Sequence, residues 1–503
     1  MINIPSLVRA PNSAVMPVAS DIARGGVAAT GSGNATVPAP TLLNLQAVGL
    51  TDWPSLALGV TRSGPGQFST TKDAAQMRAA LGAVTRDFIV DNVNGTNNTV
   101  ASEAQPARNL STLLSTINAT AGDVLWTRIK PRASRMVWGS QGFAGTGWDP
   151  AAGAARKLII EAFDGGPLIF VRSASSAPPA WTANANGTYT APTGITGATN
   201  TSAPMDWLPA TRDVDGVGRV FSVGTATLAT DVAPAPGTYY HDTMANTVTV
   251  AGFDARNLVG DEWVTPVTFG NNITFNFSAT QTSTWRLYLG QCWGVGGAPM
   301  IGTNLQAAPG LFPTVIMDRC GGFAGSVGSN GLFTLGGIDL YTFGNTYGYN
   351  HRDGQNASPN ASGFSRHLYV VSEARRRTGY SGTGDDNQIT GHGGASAAEG
   401  TRTIVIMGDT GPSDGRVIGS VGYSQIFVFG SVGNIGPSLN TGPRGSTISA
   451  SDFSKVVLVE ASLAASPTDT FNVDTFAAIT CYGMDITGKI KSGVGTLQSL
   501  PVP

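Results

Sequence analysis

Short apolar runs recur along the second half of this chain, and a glycine or a polar turn follows each of them. From residue 315 onward, successive runs begin roughly 22 to 35 residues apart. They lie at 315–317, 338–341, 369–371, 404–407, 426–429, 456–459 and 478–480. A period of about 20 to 50 residues with one set of short strands per repeat is typical of a solenoid.

The repeat pattern favours one class of solenoid. It lacks the two helices per period of helical repeats, and leucine does not recur at the spacing of leucine-rich repeats. A parallel β-helix with about 20–25 residues per coil remains, and roughly seven coils fit between residues 312 and 490. We therefore predict an all-β fold.

The composition agrees with this prediction and excludes several classes of protein. Charged residues make up 12% of the chain and apolar residues 41%, and glycine contributes 66 of the 503 residues. Such a chain can bury a large core, which argues against a disordered scaffold. The formal net charge of −2 provides no basic field for nucleic acid, so we expect no nucleic-acid partner.

Cysteine usage and hydropathy suggest where the chain is made. The three cysteines, Cys292, Cys320 and Cys481, form neither a disulfide framework nor a zinc motif, so we predict reduced core thiols. No apolar run approaches the ~18–20 residues that span a membrane, so we expect no membrane insertion. The first residues have no basic and apolar leader, so we expect synthesis in a cytosol without a signal peptide.

The chain divides by composition into five parts. Residues 1–84 are predicted to form an extended arm and a small module with a helix at 73–81, and 85–172 the start of the β-helix. Turn-bounded hairpins at 173–270 predict an antiparallel β insert. Residues 271–490 then form the β-helix body, and 491–503 a tail. A second helix is predicted from Asn109, because four apolar residues follow at helical spacing: Leu110, Leu113, Leu114 and Ile117.

The start of the predicted β-helix resembles a known family. Residues 88–95 read FIVDNVNG, a strand and an Asp/Asn-Gly turn, and the segment around Pro106, the helix from Asn109 and Gly122-Asp123-Val124 follow. This is similar to the first coil of right-handed parallel β-helix proteins of the pectate-lyase-like superfamily. The hairpin of 236–242 (PGTYYHD) and 246–250 (NTVTV) is similar to the β insert of many such proteins.

The leaderless arm, the small module and the β-helix together resemble a bacteriophage tailspike, tail fibre or head spike. The resemblance implies a homotrimer on the virion surface, attached through residues 1–84 to a phage tail or capsid protein. It also implies that the body binds bacterial surface polysaccharide. Three functions stay open: a binding-only spike, a spike with depolymerase activity, and a free polysaccharide lyase.

The densest polar stretch, 345–394, supplies the candidate catalytic residues. Residues one coil apart stack at about 4.8 Å, so side chains distant in sequence can meet. Glycoside hydrolysis needs two carboxyl groups, about 5–5.5 Å apart for retention or about 6.5–9.5 Å apart for inversion. Asp353 with Glu373, or Glu373 with Asp385, are the best pairs, and His392 lies nearby in sequence. The same residues also fit a structural or solvated cluster.

Aromatic and basic residues of this stretch are candidates for carbohydrate binding, through stacking on sugar rings or contact with an acidic sugar. They are Tyr347, Tyr349, Arg375, Arg376 and Tyr380. A lyase would need Ca²⁺-binding acids and a basic residue on adjacent coils, for which Asp318, Asp339 and Arg319 are a possible set. We otherwise expect no metal and no cofactor.

Overall fold

The predicted apolar runs form strands, and these strands belong to three long parallel sheets. The computed structural model describes residues 40–50, 58–113, 124–138, 141–143, 156–171, 177–192, 203–212, 217–223, 235–242, 244–265, 273–277, 285–296, 300–303, 312–323, 330–350, 352–359, 364–371, 373–374, 387–394, 400–432, 435–436, 446–464 and 471–503.

The first part of the described chain contains nine strands, one α-helix and two 3-10 helices. They are β1 (Thr41–Leu42), a 3-10 helix (Leu45–Val48), β2 (Val60–Gly64), β3 (Gln67–Thr70), α1 (Ala74–Ala79), β4 (Arg86–Asp91), a 3-10 helix (Leu110–Leu113), β5 (Val124–Lys130), β6 (Met136–Trp138), β7 (Gln141–Phe143), β8 (Arg156–Ala162) and β9 (Leu168–Val171).

The middle part contains β10 (Thr182–Ala183), β11 (Tyr189–Pro192), β12 (Met205–Asp206), β13 (Arg219–Val220), β14 (Ser222–Val223), β15 (Thr238–Asp242), β16 (Thr247–Val250) and β17 (Val264–Thr265). The last part contains β18 (Ile273–Phe277), β19 (Trp285–Gly290), β20 (Cys292–Val295), β21 (Met300–Thr303), β22 (Thr314–Asp318), β23 (Gly321–Phe323), β24 (Leu332–Leu335), β25 (Asp339–Phe343), β26 (Thr346–Gly348), β27 (Gln355–Ser358), β28 (Phe364–Val370), β29 (Glu373–Ala374), β30 (Ile389–His392), β31 (Gly400–Ile406), β32 (Asp409–Thr410), β33 (Ile418–Val421), β34 (Gln425–Phe429), β35 (Ile448–Ala450), β36 (Lys455–Val459), β37 (Phe471–Val473), β38 (Ala478–Tyr482), β39 (Lys491–Ser492) and β40 (Thr496–Leu500).

Successive turns of the chain add one strand at a time to each sheet. Sheet I has the order β4-β5-β8-β19-β22-β25-β28-β31-β34-β36-β38-β40, sheet II β6-β9-β20-β23-β26-β29-β32, and sheet III β7-β18-β21-β24-β27-β30-β33-β35-β37-β39. All neighbours within these sheets pair in parallel, as in β22 with β25, where Val315 lies opposite Leu340. This is the arrangement of a parallel β-helix, and it confirms the predicted all-β class. The described residues from β22 to β39 form the seven predicted coils.

Alternate residues of each strand fill the interior of the coils. In sheet I, Leu287, Val315 and Leu340 occupy one inward row, and all three are fully buried. The three cysteines are free and buried, as predicted. The interior is therefore a stack of apolar layers, with one layer added per coil.

The turn that ends each sheet I strand repeats one backbone feature in eight successive coils. One residue per coil adopts a left-handed conformation with φ between 48° and 63°, and its N–H donates to a carbonyl of the next coil. The eight positions are Gln291, Arg319, Gly344, Val371, Met407, Gly430, Glu460 and Gly483. A single residue thus turns the chain between two sheets and also pairs with the neighbouring coil.

The module at residues 41–84 packs on the outer face of sheet I. Asp73 caps helix α1 and forms a capping box with Gln76, and this confirms the predicted helix start. Phe68 of the hairpin β2–β3 lies against Phe429, with ring centroids 5.7 Å apart. Two bidentate ion pairs, Arg62 with Glu460 and Arg78 with Glu161, fix the module laterally. The chain therefore covers this apolar face itself.

The region between β9 and β18 forms two small sheets, ordered β10-β11-β16-β15-β14 and β13-β12-β17, in which the hairpin β15–β16 and most other pairs are antiparallel. Trp207 of this insert is fully buried against sheet II, with its ring 5.8 Å from that of Trp293 and 5.9 Å from that of Phe323. The insert therefore covers the outer face of sheet II in the same way as the module covers sheet I.

The helix predicted from Asn109 differs from the structure. The described chain forms a short 3-10 helix at Leu110–Leu113, with both leucines fully buried in the core. Leu114 and Ile117 lie outside the described residues, as does all of the arm predicted for residues 1–40 except Pro40. The structure therefore describes only the first turn of the predicted helix.

Candidate functional site

Asp353 belongs to a ladder of side chains that joins successive coils. It lies two residues before β27, and Asn330 and Asn387 occupy the same position before β24 and β30. Asn330 Oδ1 accepts the N–H of Asp353 at 3.1 Å, and Asp353 Oδ1 accepts the N–H of Asn387 at 2.7 Å. Asn387 Oδ1 continues the ladder by accepting the N–H of Arg416 at 3.1 Å. Each side chain thus satisfies a backbone donor of the next coil.

The surroundings of Asp353 explain its electrostatics. The residue is 1% exposed, and its second oxygen accepts from Asn356 Nδ2 at 2.5 Å. Burial raises the pKa of Asp353 to about 6, although the hydrogen bonds from Asn387 and Asn356 act in the opposite direction. One oxygen of Asp353 binds the next coil, the other binds Asn356 of its own coil, and the residue is buried, so its position indicates a structural role and not half of the predicted hydrolytic pair.

His392 lies in the same polar cluster as Asp353. It ends β30, is half-buried, and its Nε2 lies 3.4 Å from the Asn356 Nδ2 that donates to Asp353. Ser358 donates to the other atom of this amide, Oδ1, at 3.1 Å. The structure therefore brings Asp353 and His392 together through the Asn356 amide, in an arrangement suited to hydrogen bonding.

Small uncharged polar side chains continue from Asn356 along sheet III. The register places one residue per coil on this line, in the order Asn356, Thr390, Gly419, Ser449, Asn472 and Ser492, which we name the polar row. The residue before each member from Asn356 to Asn472 is buried, as for Ile389 and Ile418. The polar row thus lies on the outer face of the sheet.

The members of the polar row bind one another near the C-terminal end. Asn472 Nδ2 donates to Ser449 Oγ at 3.3 Å, and Ser492 Oγ donates to Asn472 Oδ1 at 3.0 Å. Asn356, Thr390 and Ser449 are buried, whereas Asn472 and Ser492 are half-buried. Hydroxyl and amide groups are therefore accessible at the C-terminal end of the row.

Glu373 is in backbone register with an acidic residue, Asp409, that the sequence analysis did not select. Strand β29 places it directly opposite Thr346 on one side and Asp409 on the other. Parallel neighbours in a sheet are about 4.8 Å apart, so the two acids occupy adjacent positions of one row. Asp409 is half-buried, and the next residue, Thr410, faces the interior. The signal was present in the sequence, because both acids follow an apolar strand at the same offset in consecutive coils.

The candidate tyrosines take structural positions. Tyr347 is completely buried inside the coil, and its hydroxyl accepts from Asn345 Nδ2 at 2.7 Å. The prediction that its ring binds a sugar is therefore wrong. Tyr349 is half-buried and packs beside Trp293 and Phe323, where the insert meets sheet II. Four further candidates lie outside the described residues: Asp385, Arg375, Arg376 and Tyr380.

The acids proposed for a lyase are each bound to an arginine. Asp318 accepts from Arg319 at 3.1 Å and from the hydroxyl of Tyr288 at 2.9 Å. Asp339, one coil further, forms a bidentate ion pair with Arg366. These carboxylates do not fit a Ca²⁺ site. In the described part of the chain, no three or more His, Cys, Asp or Glu side chains form a possible metal-binding group, and no helix could cross a membrane.

Comparison with known proteins gives little further information. No family model matches the chain, and no curated protein matches it. One solved structure, described as a glycoside hydrolase, aligns over 83% of this chain and 97% of its own length, with 8% sequence identity and a TM-score of 0.34. At this level of similarity, the comparison carries no argument about fold or function.

Proposed function

We propose that this chain binds bacterial surface polysaccharide and attaches a phage-like particle to its host. The observation that carries the proposal is the polar row, which places a hydroxyl or amide side chain in five of its six coils along sheet III and leaves those of Asn472 and Ser492 accessible. A polysaccharide is a repeating chain of hydroxyl groups, and neutral donors and acceptors at regular spacing match it. The repeat of about 4.8 Å lets one binding contact recur from coil to coil.

We further propose that the body is a right-handed coil and assembles as a homotrimer, with residues 1–84 contacting a tail or capsid protein at the virion surface. An exposed column of aromatic rings supports self-association: Tyr423, Phe453 and Phe476 stack with centroids 4.9 and 5.1 Å apart. Phe453 is 48% and Phe476 69% exposed, which is costly for a free monomer. Light scattering of the purified protein tests the trimer, and a monomer would refute it.

Glycan binding is tested by titrating the protein with surface polysaccharide from candidate hosts. Asn472→Ala removes an accessible amide of the polar row and should weaken binding about 5- to 10-fold, the effect of losing a hydrogen bond of about 1 kcal/mol. Gln498→Ala is the matched control, because Gln498 is an exposed amide on sheet I. Equal effects of the two substitutions would contradict binding at the polar row.

A depolymerase is the second candidate, and the register of Glu373 with Asp409 favours it. Residues in register on adjacent parallel strands are about 4.8 Å apart along the sheet, close to the separation of about 5–5.5 Å between the carboxyl groups of a retaining glycosidase. If the pair is catalytic, Glu373→Gln and Asp409→Asn each abolish the release of reducing ends from the polysaccharide. Asp353→Asn should leave the release intact, because Asp353 serves the coil ladder. Binding without release by the unmodified protein would leave the binding function alone.

A further inference from the structure

Basic side chains form a second row, on sheet I, that the proposed function does not use. The register aligns one position per coil in the order Lys157, Arg286, Thr314, Asp339, Arg366, Arg402, Gln425 and Lys455. Five of the eight residues are cationic and one is anionic. We name these five cations the basic row.

The placement of these charges is unfavourable for the protein alone. Lys157 lies directly opposite Arg286, and Arg366 directly opposite Arg402. Like charges opposite each other on neighbouring strands destabilise a sheet. In a chain with only 12% charged residues, two such pairs in a single row are an unusual concentration of positive charge. Like charges that stay opposite each other despite this cost are typical of a binding site.

Neutral or acidic partners within the row offset only part of this charge. Arg366 forms its bidentate ion pair with Asp339, and Arg402 Nε donates to the amide oxygen of Gln425 at 3.2 Å. Lys455 is exposed, and Lys157 and Arg286 are half-buried. The row therefore presents cations at both of its ends and an ion pair near its middle.

The spacing of the charges indicates the kind of ligand. Seven strand-to-strand steps of about 4.8 Å make the row about 34 Å long, so its net charge, five cations less one anion, averages one positive charge per about 8 Å. Duplex DNA carries one negative charge per about 1.7 Å of its axis, which is far denser. An acidic polysaccharide with one carboxylate every one or two sugars is a closer match.

We propose that the basic row binds an acidic polysaccharide lengthwise along sheet I. This surface is separate from the polar row on sheet III, so either proposal can fail without the other. Hyaluronate, with one carboxylate per two sugars, is a suitable probe, and uncharged dextran is its control. The full chain should bind hyaluronate, bind dextran more weakly, and lose the difference as salt rises.

Variants locate the binding on the row. Replacing one cation near each end of the row, Arg286→Gln with Lys455→Gln, should weaken hyaluronate binding about 4- to 25-fold, at roughly 2- to 5-fold per ion pair. Lys491→Gln removes an exposed cation on sheet III and should leave the affinity unchanged. Thr314→Lys places a cation beside Arg286 and should tighten binding about 2- to 5-fold, which separates a binding effect from a folding defect.

Several results would overturn the inference. They are equal affinity for dextran and hyaluronate, equal effects of Lys491→Gln and the double variant, or tighter binding of duplex DNA than of hyaluronate at the same salt concentration. If Asn472→Ala weakens host glycan binding while the double variant does not affect hyaluronate binding, the proposed function stands and the basic row is not a polysaccharide site.

Discussion

The contact between the N-terminal module and sheet I can be tested at one glycine. Gly430 occupies the left-handed position of its coil, with φ of 61°, directly beneath the hairpin β2–β3. A Cβ at this position would lie 2.7 Å from the carbonyl oxygen of Gly66 and 3.0 Å from Cδ2 of Phe68. Gly430→Ala therefore combines backbone strain with a collision against the module.

Gly165 provides a matched control. Its φ is 76°, and a Cβ there would meet no heavy atom within 4 Å. Gly165→Ala should cost about 1–2 kcal/mol, the price of a left-handed alanine. Gly430→Ala adds the overpacking of a filled site, about 1–3 kcal/mol, for a total of about 2–5 kcal/mol. The module can relieve the collision by moving away from the coil, and that movement exposes Phe68.

Two measurements read out these effects. Urea unfolding gives the difference in the free energy of unfolding, and hydrogen exchange gives the protection of residues 58–81 in each variant. We expect Gly430→Ala to lose either stability or protection relative to Gly165→Ala, because the module must detach or be compressed. Equal unfolding free energies together with unchanged protection of residues 58–81 would refute the contact between module and coil.

Three further predictions concern single interactions. Burial raises the pKa of Asp353 to about 6, above its value near 3.9 in the unfolded chain, so ionisation of this carboxyl opposes folding. The free energy of unfolding should therefore fall by about 1–3 kcal/mol between pH 4 and pH 6. Asp353→Asn should remove this fall when urea unfolding is measured at each pH, and an unchanged pH profile would contradict the assignment. Trp207→Ala removes the fully buried ring between insert and sheet II and should cost about 3–5 kcal/mol, with faster hydrogen exchange in 203–265 than in the coils. Arg62→Ala breaks the half-buried pair with Glu460 and should cost about 1 kcal/mol at low salt and less at high salt, whereas no salt dependence would indicate that only packing was lost.

The local sequence pattern predicted the strands well because each coil must place apolar side chains in the interior. Apolar runs such as 404–407 and 456–459 must supply an inward row, so their spacing reveals the coil. The same runs are apolar on their outer side too, as is typical of strands that are covered on both faces. Which residues cover the outer face was not predictable. The hydrophobicity of Ile404 indicates that it is buried, but it does not indicate whether Phe68 or another subunit buries it.

The candidate site was harder to predict because its contacts cross from coil to coil. Asp353-Gly354 has the appearance of an ordinary turn, and its ladder becomes visible only when Asn330 and Asn387 are aligned through coils of unequal length. Glu373 and Asp409 are likewise in register only across neighbouring coils, although 36 residues separate them in sequence. The sugar-binding role predicted for Tyr347 failed for a related reason. In a strand as short as β26, the local sequence pattern of a buried tyrosine is the same as that of an exposed one.

The three sheets differ in what lies on their outer faces, and this difference bears on where a glycan would bind. The module covers the apolar face of sheet I through residues such as Phe68, and the insert covers sheet II through Trp207. Sheet III carries the uncharged polar row on its outer face instead. An apolar face must be buried to be stable, whereas a row of hydroxyl and amide groups can exchange water for sugar hydroxyls at little cost. The accessible end at Asn472 and Ser492 is therefore the place on this scaffold where reversible binding of a polysaccharide conflicts least with folding.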